Sequence, residues 1–140
     1  MGEKPEPNAE WTQMAHSMMP FSEKLGLEIC AGSPDRVVAL AAWAPDRCTS
    51  EDLLHGGYIM AVADAVGAAC AWLNLPQDAK TTTIESKTNF FRGVTDGSLE
   101  VSATPVHVGR TTIVVQTDIT GAKGELVSRT VQTQAVIPKI

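Results

Sequence analysis

The chain has 140 residues, of which 44% are hydrophobic and 19% charged, and its formal net charge at pH 7 is −5. This length suits one domain with a single core, and the composition is that of an ordinary globular protein rather than a disordered or fibrous one. The negative charge and the scattered Lys and Arg residues exclude a nucleic-acid-binding surface.

The N-terminal segment predicts an arm in front of one domain. Its first ten residues, MGEKPEPNAE, are polar and acidic, whereas a signal peptide is basic and then apolar. Residues 1–9 are predicted to be a loose tail, followed by a short helix from Glu10 to Met19 that Pro20 ends. We therefore expect residues 1–20 to be a tail with a short helix and residues 21–140 to be the single domain.

Two short β-prone runs and a helix come next. Leu27–Ala31 and Arg36–Trp43 are separated by turn residues, which predicts a hairpin, and Ala44–Asp52 is predicted to be a polar loop. The 18 residues from Gly56 to Leu73 are apolar on nearly every side. Such a helix must be surrounded by protein, so we place it at the centre of the fold.

This helix is not predicted to cross a membrane. It is rich in Ala and Gly, and Asp64 lies at its middle. A charge at the centre of a bilayer costs roughly 2.5 to 3.5 kcal/mol on insertion scales, which favours a buried core helix. The three cysteines lack the paired spacing of a disulfide framework or a zinc site, so we expect reduced thiols, a cytoplasmic location and no metal.

The second half of the chain predicts four strands, and short turns between them predict that consecutive strands are antiparallel neighbours. In the third of these stretches Ile113, Val115, Thr117 and Ile119 alternate with more polar residues, so this face is expected to pack on the helix. Pro105 cannot donate to a strand ladder and predicts an edge or a bulge. The sequence thus predicts an α+β fold, an antiparallel sheet wrapped around one long central apolar helix. The four stretches are Thr81–Phe91, Ser98–Val108, Thr111–Ile119 and Leu126–Ile137.

Asp64 is the first candidate for chemistry because it is the only charged residue between Gly56 and Leu73. An ionised carboxylate in an apolar setting is costly unless partners offset it. Two interpretations stay open. In the first, the helix face that carries Asp64 meets a polar loop or a subunit interface. In the second, Asp64 is a nucleophile or general base.

The second candidate is the sequence His55-Gly56-Gly57 at the start of the predicted helix. Glycine lets the backbone approach a ligand closely, and free N–H groups at a helix N-terminus can stabilise a negative oxygen, as the carbonyl of a thioester requires during hydrolysis. The alternative is a glycine turn needed only for backbone geometry, with His55 as a structural hydrogen-bonding group.

Together these segments carry a family resemblance. In LLHGGYIMAVADA the acid follows the His by nine residues, and the chain resembles the hotdog thioesterases of the phenylacetyl-CoA and 4-hydroxybenzoyl-CoA type, whose signature is HGG-x6-(Asp or Glu). The resemblance covers roughly residues 21–137. It continues in SKTNFFRGV, similar to the family's strand ending in FFR-x-V, and in HVGRTT, similar to its His-x-Gly-x-Thr-Thr turn.

The resemblance implies a hotdog fold and hydrolysis of an aryl- or medium-chain acyl-CoA. It implies that Asp64 is the nucleophile or base and that the Gly56 amide polarises the thioester carbonyl. No cofactor is implied, since CoA is part of the substrate, and the expected assembly is a homodimer, often paired into a tetramer. The implied site residues are Asp64, Gly56, His55 and Thr49 for catalysis and Gly57, Arg92, Arg110, Thr111 and Thr112 for binding of substrate and CoA.

Helix geometry predicts that two chains share each site. Gly57 and Asp64 are seven residues apart, or about 10 Å along a helix, whereas a thioester carbonyl must contact both its oxyanion donor and the attacking group. Two antiparallel helices related by a two-fold axis can supply both groups.

Two departures from the family pattern leave the substrate group open. Thr49 replaces the Asn or Gln that often precedes the His by six residues, and Ala68 replaces a Thr that can orient water. Alternatives are a non-catalytic acyl-CoA-binding protein and a hotdog hydratase or dehydratase, whose Pro-Gly-rich segment after the His is absent.

Overall fold

The computed structural model describes residues 3–140, so Met1 and Gly2 of the predicted tail lie outside the described residues. Both predicted helices and all six predicted strands are present, with ends close to those expected. Pro20 ends the first helix as predicted, but it also begins a second short one. The elements are α1 (Ala9–Met18), α2 (Pro20–Lys24), β1 (Glu28–Ser33), β2 (Arg36–Ala42), α3 (Gly56–Leu73), β3 (Ala79–Phe90), β4 (Ser98–Val108), β5 (Thr112–Thr120) and β6 (Leu126–Pro138), with 3₁₀ turns at Pro45–Arg47 and Ser50–Asp52.

The strands form one antiparallel sheet in the order β1-β2-β4-β5-β6-β3. Consecutive strands are neighbours from β4 to β6, as predicted, but the prediction is wrong for β3, which pairs with β6 at the sheet edge. The connection from β3 to β4, residues 91–97, is longer than a usual hairpin loop of about two to five residues. It passes the start of α3, where Val94 O accepts the Leu54 N–H at 2.9 Å.

Helix α3 packs across one face of the sheet, and this contact forms the core. Ile59, Val62 and Val66 of α3 are buried. The face of β5 that was expected to pack on the helix is fully buried, which confirms the prediction. Each large apolar side chain removed from water contributes roughly 1.5 to 3 kcal/mol, so this contact is the main source of stability.

Pro105 lies at a bulge, as predicted. The pairing of β4 with β5 changes register between Pro105 and His107. On the other side of β4, the ladder with β2 ends at the pair Val37–Ala103, so the missing N–H of proline interrupts no bond to β2. Pro105 therefore lies beyond the end of the β2 ladder and beside the bulge in the β5 ladder.

Helix α1 docks on β1. Its N-cap is Asn8, whose side chain accepts the Trp11 N–H at 3.0 Å. Thr12 then joins α1 to β1, because its hydroxyl donates to Ile29 O at 3.2 Å and accepts the Ile29 N–H at 2.9 Å. Trp11 packs over the backbone of β1 at Gly32, where a Cβ would lie 3.1 Å from the indole ring. The predicted arm thus lies against the domain.

Helix α3 is long and apolar enough to span a membrane by length and composition alone, and 44% of it is buried inside the described chain. The prediction that protein surrounds it on all sides is not met by one chain. The sheet covers one side, whereas the opposite face, which carries Gly57, Met60, Asp64 and Trp72, is exposed. Beside this face, β3 has no strand partner on its outer edge among residues 3–140.

Candidate active site

Asp64 lies at the middle of α3 on its exposed face. Its Oδ1 accepts a hydrogen bond of 3.1 Å from Nε2 of Gln132, a buried residue of β6. Among residues 3–140 the only hydrogen bond to the Asp64 side chain comes from this strand residue, so no polar loop accounts for Asp64, and the subunit-interface and catalytic interpretations both stay open. The carboxylate faces outward from the domain, where a substrate can reach it.

His55 is the N-cap of α3. Its ring Nδ1 accepts the Gly57 N–H at 2.8 Å, and its backbone N–H donates to Arg47 O at 2.9 Å. Because Nδ1 accepts this bond, the ring carries no proton there. A Cβ at position 57 would lie 2.9 Å from Nδ1, so glycine is what lets the imidazole approach. The structure therefore gives His55 and Gly57 a capping role, and the Gly57 amide is already bound.

The Gly56 amide is in a different position. It is the first N–H of an 18-residue helix, and within residues 3–140 no acceptor is in hydrogen-bonding position to it. Unpaired N–H groups and the helix dipole make this terminus suitable for a negative oxygen. The Phe90 ring packs beside it, because a Cβ at Gly56 would lie 3.4 Å from the ring.

Thr49 lies at the same end of α3, in the loop that leads to His55. Cys48 and Leu54 pair across this loop, and the Thr49 N–H donates to Leu53 O at 2.7 Å. The turn inside it uses left-handed backbone at Glu51 and Asp52, with φ of 61° and 59°. Thr49 is exposed, and its hydroxyl makes no hydrogen bond to any residue that the structure describes.

The residues predicted to bind CoA lie in segments beside opposite ends of β6. The Arg92 N–H donates to Val127 O, whereas Thr111 O accepts the Val136 N–H at 2.9 Å. Val127 and Val136 are nine residues apart on one strand, so these ends are separated by about 30 Å at about 3.3 Å per residue. Arg110 and Thr112 flank Thr111 and lie at the second end.

One chain therefore does not assemble all the predicted residues. The first end holds Thr49, His55, Gly56 and Arg92, and the second holds the segment from Arg110 to Thr112. Asp64 lies between them, about 12 Å along the helix from Gly56, since these residues are eight positions apart.

An apolar cavity of about 230 Å³ lies between α1, the C-terminal half of α3 and the sheet. Trp11, Met14 and Met18 of α1 form one wall, and Ala68 and Trp72 of α3 form another. Thr81 of β3 is the only lining residue that is not apolar. Ala68 is one helical turn beyond Asp64 on the same side of α3, so the cavity wall begins one turn from the carboxylate, which does not itself line the cavity.

Gln132, the one side chain among residues 3–140 that is hydrogen-bonded to Asp64, was not predicted from the sequence. The buried face of β6 carries polar residues, and its other face carries both apolar and polar residues. The sequence of β6 therefore has no apolar alternation that would mark Gln132 as a buried residue. No group of three or more His, Cys, Asp or Glu side chains that could hold a metal ion occurs in the described range 3–140.

Comparison with known proteins agrees with this architecture. The model of the thioesterase superfamily matches residues 52–128, more than half of the chain and the part that carries α3 and Asp64. The chain belongs to the thioesterase superfamily. The predicted resemblance and the predicted hotdog fold are thereby confirmed, and hydrolysis of a thioester is the activity that the family supports.

Three relatives show how far the similarity extends. This thioesterase is 31% identical over 127 residues to ComA2 of Bacillus subtilis, with 90% of this chain and 98% of ComA2 covered. It is 28% identical over 85 residues to the 1,4-dihydroxy-2-naphthoyl-CoA hydrolase of Escherichia coli, covering 61% of this chain and 62% of that protein. The crystal structure of a thioesterase from Haemophilus influenzae superposes with a TM-score of 0.85 at 26% identity, covering 96% of this chain and 93% of that one.

Proposed function

We propose that this thioesterase hydrolyses an acyl-CoA to the free acid and CoA, with Asp64 as the nucleophile or general base. The observation that carries the proposal is an outward-facing carboxylate on an otherwise apolar helix face, beside an apolar cavity. As a nucleophile, Asp64 would form a mixed anhydride and release CoA, and water would then hydrolyse the anhydride. As a base, it would take a proton from the attacking water. The hotdog thioesterase family generally acts on CoA thioesters and oligomerises.

Each site is formed by two copies of the chain. The Gly56 N–H is free to stabilise the oxyanion, but it is about 12 Å along the helix from Asp64 of the same chain, too far to share one carbonyl. The exposed face of α3 and the unpaired edge of β3 lie side by side, and exposed Ile84 and Phe90 continue this surface. A second copy placed on this surface by a two-fold axis brings its own helix start beside Asp64.

The same arrangement brings the predicted site residues of the two copies close to one another. A two-fold axis across α3 runs the two helices antiparallel, so the first end of one copy lies toward the second end of the other. Asp64 and the segment from Arg110 to Thr112 of one copy then face Gly56, Thr49 and Arg92 of the other. Pairing of two such dimers into a tetramer stays a prediction.

The cavity is the place for the acyl group. It begins one helical turn from Asp64 and has an apolar lining, and an apolar cavity of roughly 150 Å³ is large enough to hold benzene. A cavity of about 230 Å³ therefore suits an aryl ring or an aliphatic chain of modest length. The reaction uses no cofactor, because CoA is part of the substrate. We place it in the cytoplasm, which the free thiols of Cys30, Cys48 and Cys70 favour.

A panel of acyl-CoAs tests the activity. Loss of thioester absorbance, with chromatographic detection of CoA, avoids interference from the thiols of the protein. We expect turnover of aryl- or medium-chain substrates and a loss of about 10² or more in Asp64→Asn, as removal of a general base typically causes. Binding of acyl-CoA without release of CoA would show a non-catalytic protein, and a hydrated or dehydrated acyl-CoA product would show a hydratase.

Complementation tests the shared site. Gly56→Pro removes the amide donor at the first position of α3, where proline is tolerated and a Cβ makes only ordinary contact with Phe90. This variant and Asp64→Asn should each be nearly inactive alone. Refolded together in equal amounts, they should recover about a quarter of wild-type activity, since half of the dimers are mixed and each holds one intact site.

The control is Asp64→Asn refolded with the double variant Asp64→Asn/Gly56→Pro, which cannot form an intact site. Native mass spectrometry establishes that mixed dimers form. Mixed dimers that are folded and as inactive as either parent would contradict the shared site.

A further inference from the structure

A row of polar side chains on the helix-facing side of β6 is buried as completely as the apolar core. Gln134 in this row donates from Nε2 to the Thr83 hydroxyl at 2.8 Å, so it joins β6 to β3. Gln132 instead reaches α3 and donates to Asp64 Oδ1 at 3.1 Å. Their exposed fractions are 0% for Gln132 and 1% for Gln134. The row consists of Ser128, Thr130, Gln132 and Gln134.

Helix α3 is shaped to receive the Gln132 carboxamide. Gly67 lies one turn beyond Asp64, and a Cβ at that position would overlap the carboxamide, lying 2.8 Å from its Cδ. The same Cβ would lie 3.1 Å from the hydroxyl of Thr117 on β5. Only glycine therefore lets the carboxamide lie against the helix backbone between these strands and the carboxylate.

The orientation of this carboxamide follows from chemistry. An ionised carboxylate only accepts hydrogen bonds, so the NH₂ group of Gln132 must face Asp64 and its Oε1 must point away. This Oε1 is buried and has no hydrogen-bond partner in the part of the chain that the structure describes. A buried acceptor without a partner destabilises a fold, so Gln132 is a poor choice for stability alone.

We propose that Gln132 is a positioning residue, which holds Oδ1 of Asp64 so that Oδ2 faces the exposed side of α3. The inference rests on the proposed function, in which Asp64 is the reacting carboxylate. An exposed Asp on a helix can change rotamer freely, whereas the buried carboxamide fixes one oxygen and thereby directs the other. Misplacement of a reacting group by about 1 Å can lower a rate by about 10².

Gln132→Met tests this role, because it keeps the length of the side chain and removes the donor together with the unpaired Oε1. We expect kcat to fall about 10-fold or more, with KM within about twofold. The urea midpoint of unfolding should stay the same or rise, because Asp64 is exposed and keeps its water. A purely structural role predicts the reverse, a lower midpoint with kcat retained.

Gln134→Met is the matched control, since it lies on the same face of the same strand with the same burial. It loses the hydrogen bond that Gln134 donates to Thr83 and the one that it accepts from Thr81, and it leaves the Gln132–Asp64 hydrogen bond in place. We expect a lower urea midpoint and kcat within about twofold of wild type. An equal loss of kcat in both variants would overturn the inference, because it would reflect general disturbance of β6.

Gly67→Ala gives a second test that leaves Gln132 unchanged. The added methyl group must displace the carboxamide, so kcat should fall as in Gln132→Met. If Gln132→Met does not fold, the kcat of Gly67→Ala is the test. An unchanged kcat in Gly67→Ala would overturn the inference. Asp64→Asn separates the two proposals. An inactive Asp64→Asn with a fully active Gln132→Met removes only the positioning role, whereas an active Asp64→Asn removes the proposed function.

Discussion

The outer edge of β3 offers a direct test of assembly through Ile84→Lys. Ile84 lies at the bulge between Thr83 and Glu85, and its side chain is 59% exposed in one chain. It therefore contributes little to folding of the monomer. A lysine on an unpaired edge strand opposes pairing with a second strand, and its charge would be removed from water in the dimer.

The size of the effect follows from the exposure. Complete burial of an isoleucine is worth about 1.5 to 3 kcal/mol, so burial of the exposed part on dimerisation is worth about 1 to 2 kcal/mol per chain. The two-fold axis doubles this to about 2 to 4 kcal/mol per dimer, which is about a 30- to 1000-fold rise in the dissociation constant. Desolvation of the lysine adds to this value.

Sedimentation velocity over a dilution series measures the dissociation constant, and acyl-CoA hydrolysis is measured at the same concentrations. Val106→Lys on β4 is the matched control, because Val106 is 61% exposed but β4 is separated from β3 by two strands, β5 and β6. It should leave the dimer and its activity intact. An unchanged dissociation constant in Ile84→Lys would refute the β3 interface, and a fully active monomer would refute the shared site.

Three further predictions concern single residues. Arg92→Ala should raise KM for acyl-CoA more than it lowers kcat, since pairing with phosphate mainly sets binding, and an unchanged KM would relocate the nucleotide site. Burial raises the pKa of the Cys70 thiol to about 11, above the ordinary 9.0, so the unfolded chain loses this proton first as pH rises. The free energy of unfolding should therefore fall between pH 9 and 11 by at most about 1.4 kcal/mol per pH unit, and Cys70→Ala should reduce this slope in urea titrations at each pH. Trp11→Ala removes a wall of the cavity and should shift the preferred acyl group toward larger ones in a chain-length series, whereas an unchanged preference would place the acyl group elsewhere.

Local patterns in the sequence were sufficient to predict the elements. The apolar run from Gly56 to Leu73 has a capping residue before it and Asn74 after it, and the alternation along β5 has one apolar phase. The order of the strands was not predictable in this way. The pairing of β3 with β6 joins segments far apart in the chain, and nothing within β3 distinguishes β6 from β4 as its partner.

The candidate site was predictable where spacing alone carries the information. The interval from His55 to Asp64 fixes the helix register, and it also implies that one helix cannot supply both groups to one carbonyl. The role of Gly67 could not be predicted in the same way. A glycine in a helix full of Ala and Gly is informative only once the side chain that lies against it is known, and Gln132 is 65 positions away.

Two features, one of α3 and one of β6, make the isolated chain less stable than its composition allows, and they have different explanations. The exposed apolar face beside β3 can be covered by a second copy, so assembly accounts for it. The unpaired Oε1 of Gln132 is already inaccessible in one chain, so no second copy can reach it. The positioning role proposed for Gln132 accounts for this group, because a methionine of the same length would fill the space without leaving an acceptor unpaired. Ile84→Lys should therefore weaken dimerisation and leave the Gln132–Asp64 hydrogen bond in place, whereas Gln132→Met should lower kcat in a dimer of undiminished affinity. If Gln132→Met also dissociates the dimer, the two features are coupled and the carboxamide serves the interface rather than the carboxylate.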